Sequence, residues 1–261
     1  MNLITTEKKG HVFWIGLNRP DERNRMNIEM IKQFSDAYTM MEDDPQIRCG
    51  IVYANGKNFT LGLEFDTVVE YLRKEGGWPF ARSNVNPWDN GFMGRAKTKP
   101  VIIAVHGFCV AMGIELILAS EICIAAKSTR FTQSEVRVGL FPIGGGTARL
   151  VQRAGYGNAM KYMLTGDIFN AEEAVNMGIV QAVVEKDKLL ETANEYAEKI
   201  SAGAPLGIRA VLNSVRVYEE HGMKACKDQL MNQLMNIIES EDVNEGILAV
   251  KNGQKPVFKG N

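Results

Sequence analysis

Blocks of continuous apolar residues alternate with helical periodicities along the first half of the chain. Residues 11–17, HVFWIGL, are rich in β-branched and aromatic side chains and stop at Asn18-Arg19-Pro20, where proline ends a hydrogen-bonded ladder. They predict a strand. Beyond Asn27, a fitting N-cap, Ile28, Ile31, Phe34, Ala37, Tyr38 and Met41 recur at steps of three and four, the spacing of an amphipathic helix. Residues 49–54, CGIVYA, read as a buried strand closed by the turn formers Asn55-Gly56-Lys57-Asn58. The strand signal repeats at 101–105 and, after a short apolar helical stretch at 114–120, again at 122–126. Residues 67–98 mix Gly76-Gly77, Trp78, Pro79 and Trp88 without a clear period, which predicts a helix broken by a mobile segment, a candidate lid.

From Asp187 onward the character changes. Leu189, Leu190, Ala193, Tyr196, Ala197 and Ile200 mark one helix, and Met223, Cys226, Leu230, Met231, Leu234, Ile237 and Ile238 mark another. Alternating strands and helices followed by helices alone predict an α/β core with a C-terminal helical appendage. No internal repeat or low-complexity tract interrupts this pattern.

With 261 residues, 45% hydrophobic and 23% charged, the chain has the balance of a soluble globular protein. A chain of this size hides roughly three quarters of its unfolded surface, enough for one large domain or a domain with an appendage. Thirty basic and thirty-one acidic residues leave a formal charge of −1, so no global field favours nucleic acid or an anionic membrane, and any anionic ligand needs a local patch. Cys49, Cys109, Cys123 and Cys226 form no CxxC pair and have apolar neighbours, as reduced core cysteines do. The N-terminal residues lack the pattern of a signal peptide, and no apolar run approaches the length of a membrane span. These features predict a soluble, cytoplasmic protein.

Several site types are missing from the sequence. It has no GxxxxGK[ST], HExxH or GxSxG, and His11, His106 and His221 are scattered without ligand spacing, so no metal is expected. His106, before a glycine at a strand end, reads as a turn residue. Gly144-Gly145-Gly146 lacks dinucleotide-loop spacing and reads as a tight turn. Two carboxylates remain in apolar, glycine-punctuated surroundings: Glu115 in AMGIELILAS and Glu135 in FTQSEVRVGLFPIGGG. A carboxylate at the head of an apolar helix is stabilised by the free N–H groups there, while burial raises its pKa. The residues alone leave two readings open. Either the pair carries chemistry, or Glu115 caps its helix and Glu135 pairs with Arg130 or Arg137.

Six ordered segments resemble the crotonase (enoyl-CoA hydratase/isomerase) superfamily over nearly all of residues 10–260. LNRPDERNRMN at 17–27 is similar to the family's opening LNRPxxxNAL, and GKNFTLGLEFD at 56–66 to its segment ending F-[SA]-A-G-A-D-[IL]. KPVIIAVHGFCVAMGIELILASEICIAA at 99–126 resembles KPVIAAVxGxAxGGGxELALxCDIxxA. FTQSEVRVGLFPIGGGTARL, LTGDIFNAEEAVNMGIVQAVV and the tail KPVFKG complete the match.

The resemblance implies an α/β fold, a crotonase-like spiral of ββα turns over residues 1–200, with a C-terminal helical trimerisation region at 201–261 and assembly as a homotrimer or hexamer. It implies an acyl-CoA substrate, with coenzyme A entering as part of that substrate and no separate cofactor. The shared chemistry is a thioester enolate held by two backbone N–H donors, here those of Leu63 and Met112, which replace the family's usual alanine and glycine. Glutamates at both acid–base positions, Glu115 and Glu135, favour hydration of an enoyl-CoA, with Glu135 expected as proton donor. Isomerisation, another acyl-CoA reaction and a non-catalytic acyl-CoA-binding scaffold are the alternatives. By the same resemblance, the backbone around Arg23, Asn24, Arg25, Met26 and Leu61 should hold the coenzyme. Further contacts are expected at Glu64, Phe65, Phe108, Val110 and Gly113, and at Ser134, Gly139, Pro142 and Ile143. Val250 and Gly253 stand where relatives present an aromatic residue and a lysine to the nucleotide, with Lys251 or Lys255 as replacements.

Overall fold

A computed structural model describes residues 2–261. Its first strand, β1 (Ile4–Lys9), turns at Gly10 and pairs antiparallel with β2 (Val12–Leu17). Helix α1 (Ile28–Asp43) follows, capped by the Asn27 side chain, which accepts the Met30 amide at 2.9 Å. It leads to β3 (Cys49–Ala54) and then α2 (Phe65–Glu75). Strands β4 (Val101–Val105) and β5 (Phe108–Val110) precede α3 (Met112–Leu118). Next come β6 (Ile122–Ala126), β7 (Arg130–Thr132), α4 (Gly146–Ala154) and α5 (Tyr156–Thr165). The core closes with β8 (Ile168–Asn170), α6 (Ala171–Asn176), β9 (Ala182–Val184) and α7 (Leu189–Ser201).

The strands form two sheets. The larger has the order β1-β2-β3-β4-β6-β9, parallel from β2 onward, and the smaller has the order β5-β7-β8. Only His106 and Gly107 connect β4 in one sheet to β5 in the other. Gly107 takes φ +61°, and a Cβ there would stand 2.1 Å from the Lys57 carbonyl oxygen, so the crossing requires glycine. His106 is buried in this corner, Nε2 lying 3.0 Å from the Gly56 carbonyl oxygen. Each pass through the larger sheet continues into the smaller one: β3 to the Thr60–Cys109 bridge and α2, β4 to β5 and α3, β6 to β7. This is the mixed α/β spiral of ββα turns.

Both faces of the larger sheet are covered, which is why β2, β3, β4 and β6 read as unbroken apolar runs. One face meets α1 through Met30, Ile31 and Phe34. The other packs Val12, Ile51, Ile102 and Ile124 against Leu189, Ala193 and Ala197 of α7.

Beyond α2 the chain is irregular as expected, but it is not a free lid. Trp78, Phe80, Val85 and Trp88 are buried in the main core, and the Ser35 hydroxyl donates to the Val85 carbonyl oxygen at 2.7 Å. Four aromatic and branched anchors override the turn-rich composition that suggested mobility.

The C-terminal region consists of α8 (Pro205–Ile238) and α9 (Glu241–Asn252). Helix α8 begins well before the apolar stripe at 223–238 and contains a break at Gly222, whose φ of 80° is non-helical. The stripe, expected to be shared between core and subunit contact, is largely outside the core of the single chain: Met223, Leu230, Met231 and Leu234 are exposed. Among the described residues, no helix is long and apolar enough to cross a membrane. All four cysteines are free thiols, three of them buried.

Candidate active site

Helix α3 starts at an unusual backbone position. Ala111, its N-cap, has φ 53° and ψ −115°, a region that residues other than glycine rarely occupy. Its amide donates to the Thr132 carbonyl oxygen at 2.9 Å, which fixes the helix start against β7. One turn on, Glu115 is wholly buried and its Oε1 accepts the Gly146 amide at 2.9 Å. The glycine run makes this approach possible. A Cβ at Gly144 would lie 2.9 Å from Glu115 Oε2, and one at Gly146 would lie 2.9 Å from Oε1. Burial pushes the Glu115 pKa up to about 7; the Gly146 and Gly144 amides and Arg149 oppose the rise, and the Glu135 charge adds to it.

Glu135 arrives from the other side, opening a 3-10 turn (Glu135–Val138) after β7. Gln133 Nε2 donates to its Oε1 at 2.8 Å. Burial raises its pKa to about 6, against the lowering effect of its own amide and of Gln133. The surface-pair reading is therefore corrected. Arg130 donates to the Ser128 and Thr129 carbonyl oxygens, while Arg137 pairs with Asp167 and donates to the Thr165 carbonyl oxygen. Neither arginine reaches Glu135. Each glutamate keeps its Oε2 buried without a hydrogen-bond partner, an arrangement that costs free energy in a purely structural role.

Both carboxylates open into one cavity of about 390 Å³, lined mainly by apolar side chains. Of the residues expected here, Arg25, Leu61, Leu63, Glu64, Phe65 and Val110 line it, together with Met112, Ser134 and Ile143. Among the described residues, neither the Leu63 nor the Met112 amide donates to a protein acceptor. Leu63 pairs in a bridge with Met26 that uses the amides on other residues, and Met112 is the first residue of its helix, where amides have no intrahelical partner. Glu64 is held by an ion pair with Arg19.

Seven expected contacts fall outside the cavity lining: Arg23, Asn24, Met26, Phe108, Gly113, Gly139 and Pro142. Asn24 is structural. Its side chain accepts the Arg19 amide and donates to the Asn55 and Asn58 carbonyl oxygens, and its own carbonyl accepts the Thr60 hydroxyl. Met26 is buried, with its amide and carbonyl bonded to Gly62 and Glu64. The Arg23 amide and carbonyl are likewise bonded, to Pro20 and Leu61. Gly113 packs on Thr60 and Cys109, where a Cβ would come within 2.5 Å of Thr60 Cγ2. Phe108 and Gly139 are exposed, and Pro142 backs Gly146. Val250 and Gly253 lie at the end of α9, Val250 fully exposed there. Sequence reasoning missed the lining residues Asp66, Ala111, Val138, Leu140 and Phe141. It also missed Gln133, the side chain that donates to Glu135, because among Thr132, Ser134 and Glu135 it does not stand out in the sequence.

The family model for enoyl-CoA hydratase/isomerase matches residues 7–261. The chain belongs to that family, within the crotonase superfamily. It is 33% identical to an enoyl-CoA hydratase of Mycobacterium tuberculosis over 97% of this chain and 95% of that protein. It is 30% identical to (E)-benzylidenesuccinyl-CoA hydratase of Thauera aromatica, over 98% and 99%. Among solved structures, a probable enoyl-CoA hydratase/isomerase of Mycobacterium abscessus superposes with a TM-score of 0.95 at 36% identity, covering 100% of this chain and 99% of that one. These relatives support an enzyme of the crotonase superfamily acting in acyl-CoA metabolism.

Proposed function

We propose that this protein is an enoyl-CoA hydratase, adding water across the 2,3 double bond of an enoyl thioester. One observation carries the reading: two buried glutamates from different elements, each with an unpartnered Oε2, face one apolar cavity beside two unpaired backbone amides. The amides of Leu63 and Met112 receive the thioester oxygen and stabilise the negative charge that develops there as the enolate forms; donors fixed in a water-poor site need no reorganisation for this. Glu115 and Glu135 grip the water. The carboxylate takes its proton as the oxygen bonds to the β-carbon, and the carboxylic acid delivers a proton to the α-carbon, so the pair ends with the number of protons it began with.

Burial raises both carboxyls, Glu115 to about 7 and Glu135 to about 6, so near neutral pH the pair can hold one proton between them. Glu135 protonated and Glu115 ionised is the arrangement of that proton in which Glu135 acts as the donor. Arg25 at the cavity mouth is the cation best placed for the coenzyme, and the exposed stripe on α8 supports assembly as a trimer or hexamer. The test is a panel of short, long, branched and aromatic enoyl-CoA thioesters, followed by loss of the conjugated chromophore and by product mass. A mass gain of one water supports hydration, and an unchanged mass supports isomerisation.

A further inference from the structure

Trp88 lies between α2 and β4, fully buried, stacked on Trp78 with centroids 6.1 Å apart and edge-on to Phe34 at 5.7 Å. Its indole Nε1 donates to the Met112 carbonyl oxygen at 3.0 Å. Two residues further on, Asn90 Nδ2 donates to the Ile143 carbonyl oxygen at 3.3 Å. Arg149 locks this segment in place, donating to the Trp88 and Asp89 carbonyl oxygens at 2.7 Å each and to the Gly144 carbonyl oxygen at 3.4 Å. One short stretch is thus bonded to both walls of the cavity: the start of α3 with Met112, and the loop that holds Glu115.

The bond to Met112 matters because of what precedes it. Ala111, at φ 53°, stores backbone strain that relaxation would release. Relaxation would turn the Ala111–Met112 peptide, the unit that carries the Met112 N–H. A donor on the Met112 carbonyl oxygen opposes that rotation from the far side of the residue. A buried indole also needs a partner for its N–H whatever its role, so packing and positioning have to be separated by experiment.

We propose that Trp88 is a positioning residue for the reaction, holding the Met112 peptide so that its amide points at the thioester oxygen. This rests on the oxyanion role given to Met112 above. The informative variant is Trp88→Phe, which keeps an aromatic ring and removes the donor; Phe34→Leu is the packing control, loosening the same cluster while leaving the indole in place. Two readouts are needed: steady-state hydration of an enoyl-CoA, and the infrared carbonyl stretch of bound butyryl-CoA, labelled at the thioester carbon and incapable of hydration.

In Trp88→Phe, kcat should fall roughly tenfold, between the effect of one neutral hydrogen bond and that of a deleted oxyanion donor. KM should change less than about twofold, as expected when an interaction serves the transition state more than the ground state. The carbonyl stretch, lowered on binding to the wild type, should return part of the way to its value in water. Phe34→Leu should lower Tm with both readouts unchanged. The proposal is overturned if Trp88→Phe leaves kcat and the stretch at wild-type values, if Phe34→Leu reproduces its losses, or if the wild type itself fails to lower the stretch. A wild type that lowers the stretch without hydrating any enoyl-CoA contradicts the hydratase reading alone, and the Trp88→Phe stretch then still decides the positioning role.

Discussion

Glu115 and Gly146, thirty-one residues apart, meet through a 2.9 Å hydrogen bond from the Gly146 amide to the Glu115 carboxylate. The bond depends on the absence of a side chain at Gly146, because a Cβ there would crowd both Glu115 Oε1 at 2.9 Å and Pro142 Cβ at 3.0 Å. Gly146→Ala should therefore displace the carboxylate, lowering kcat by at least about tenfold as the acid–base geometry is lost and costing ~1–3 kcal/mol of stability from overpacking. Thermal unfolding and steady-state kinetics check both; unchanged kcat would show that the Gly146 contact does not set the position of Glu115.

The two carboxylates are proposed to act on one water. Glu115→Gln and Glu135→Gln should each lower kcat by roughly 10²- to 10⁴-fold, and the double variant should lose less than the product of the single losses. Fully multiplicative losses would indicate independent roles.

Glu115 also makes stability depend on pH in a definite direction. Its pKa is raised from 4.5 to about 7 on folding, so the folded state binds this proton more tightly than the unfolded state. The associated stabilisation is fully present below pH 4.5 and is lost as the pH rises through about 7. Glu115→Gln removes the titration and keeps an oxygen for Gly146. Its stability relative to wild type should rise across that window by a few kcal/mol, at ~1.4 kcal/mol per pKa unit, and then level off. Denaturant unfolding at pH 5 and pH 8, roughly the two ends of that window, measures the difference; a variant equally displaced from wild type at both would contradict the raised pKa.

The strands that carry the core were legible because both faces of the larger sheet are covered. Their continuous apolar runs put β3, β4 and β6 at the bounds expected from sequence. β1 was not legible, since it is an edge strand whose ITTEKK is mostly solvated. Strands β5, β7, β8 and β9 have three residues each, too few to show a period. Within the site, Glu115 and Glu135 stood out as charges in apolar sequence. Trp88 did not, because its partner is a backbone carbonyl of Met112 and main-chain partners leave no mark in composition. The same limit applies to Asn24, named from the resemblance as part of the backbone near the coenzyme, whose side chain satisfies the main chain of Arg19, Asn55 and Asn58.

Leu63 and Met112 are proposed to act through their amides, so truncating their side chains should leave the donors in place. Leu63→Ala and Met112→Ala should each change kcat by less than about tenfold, well short of the ~10²- to 10³-fold cost of removing an oxyanion donor, while KM shifts as the cavity widens. Loss of turnover in both variants, with folding and acyl-CoA binding intact, would refute the backbone assignment.

The exposed stripe on α8 bears on assembly. Light scattering at micromolar protein should give the mass of a trimer or hexamer, and Met231→Glu with Leu234→Glu should dissociate it, since both side chains are at least half exposed in the single chain. A stable wild-type monomer would rule the assembly out.

Glu115 and Glu135 are proposed to add water to an enoyl thioester held between them. The most direct test is to incubate the purified protein with an enoyl-CoA in water enriched in the heavy oxygen isotope and to measure the product's mass and the position of the label. The product should be heavier by one labelled water, with the heavy oxygen on the β-carbon, and Glu115→Gln and Glu135→Gln should form it at least about a hundredfold more slowly, within the range for a lost acid or base. A product of unchanged mass, or labelled product formed equally fast by both variants, would contradict the proposal.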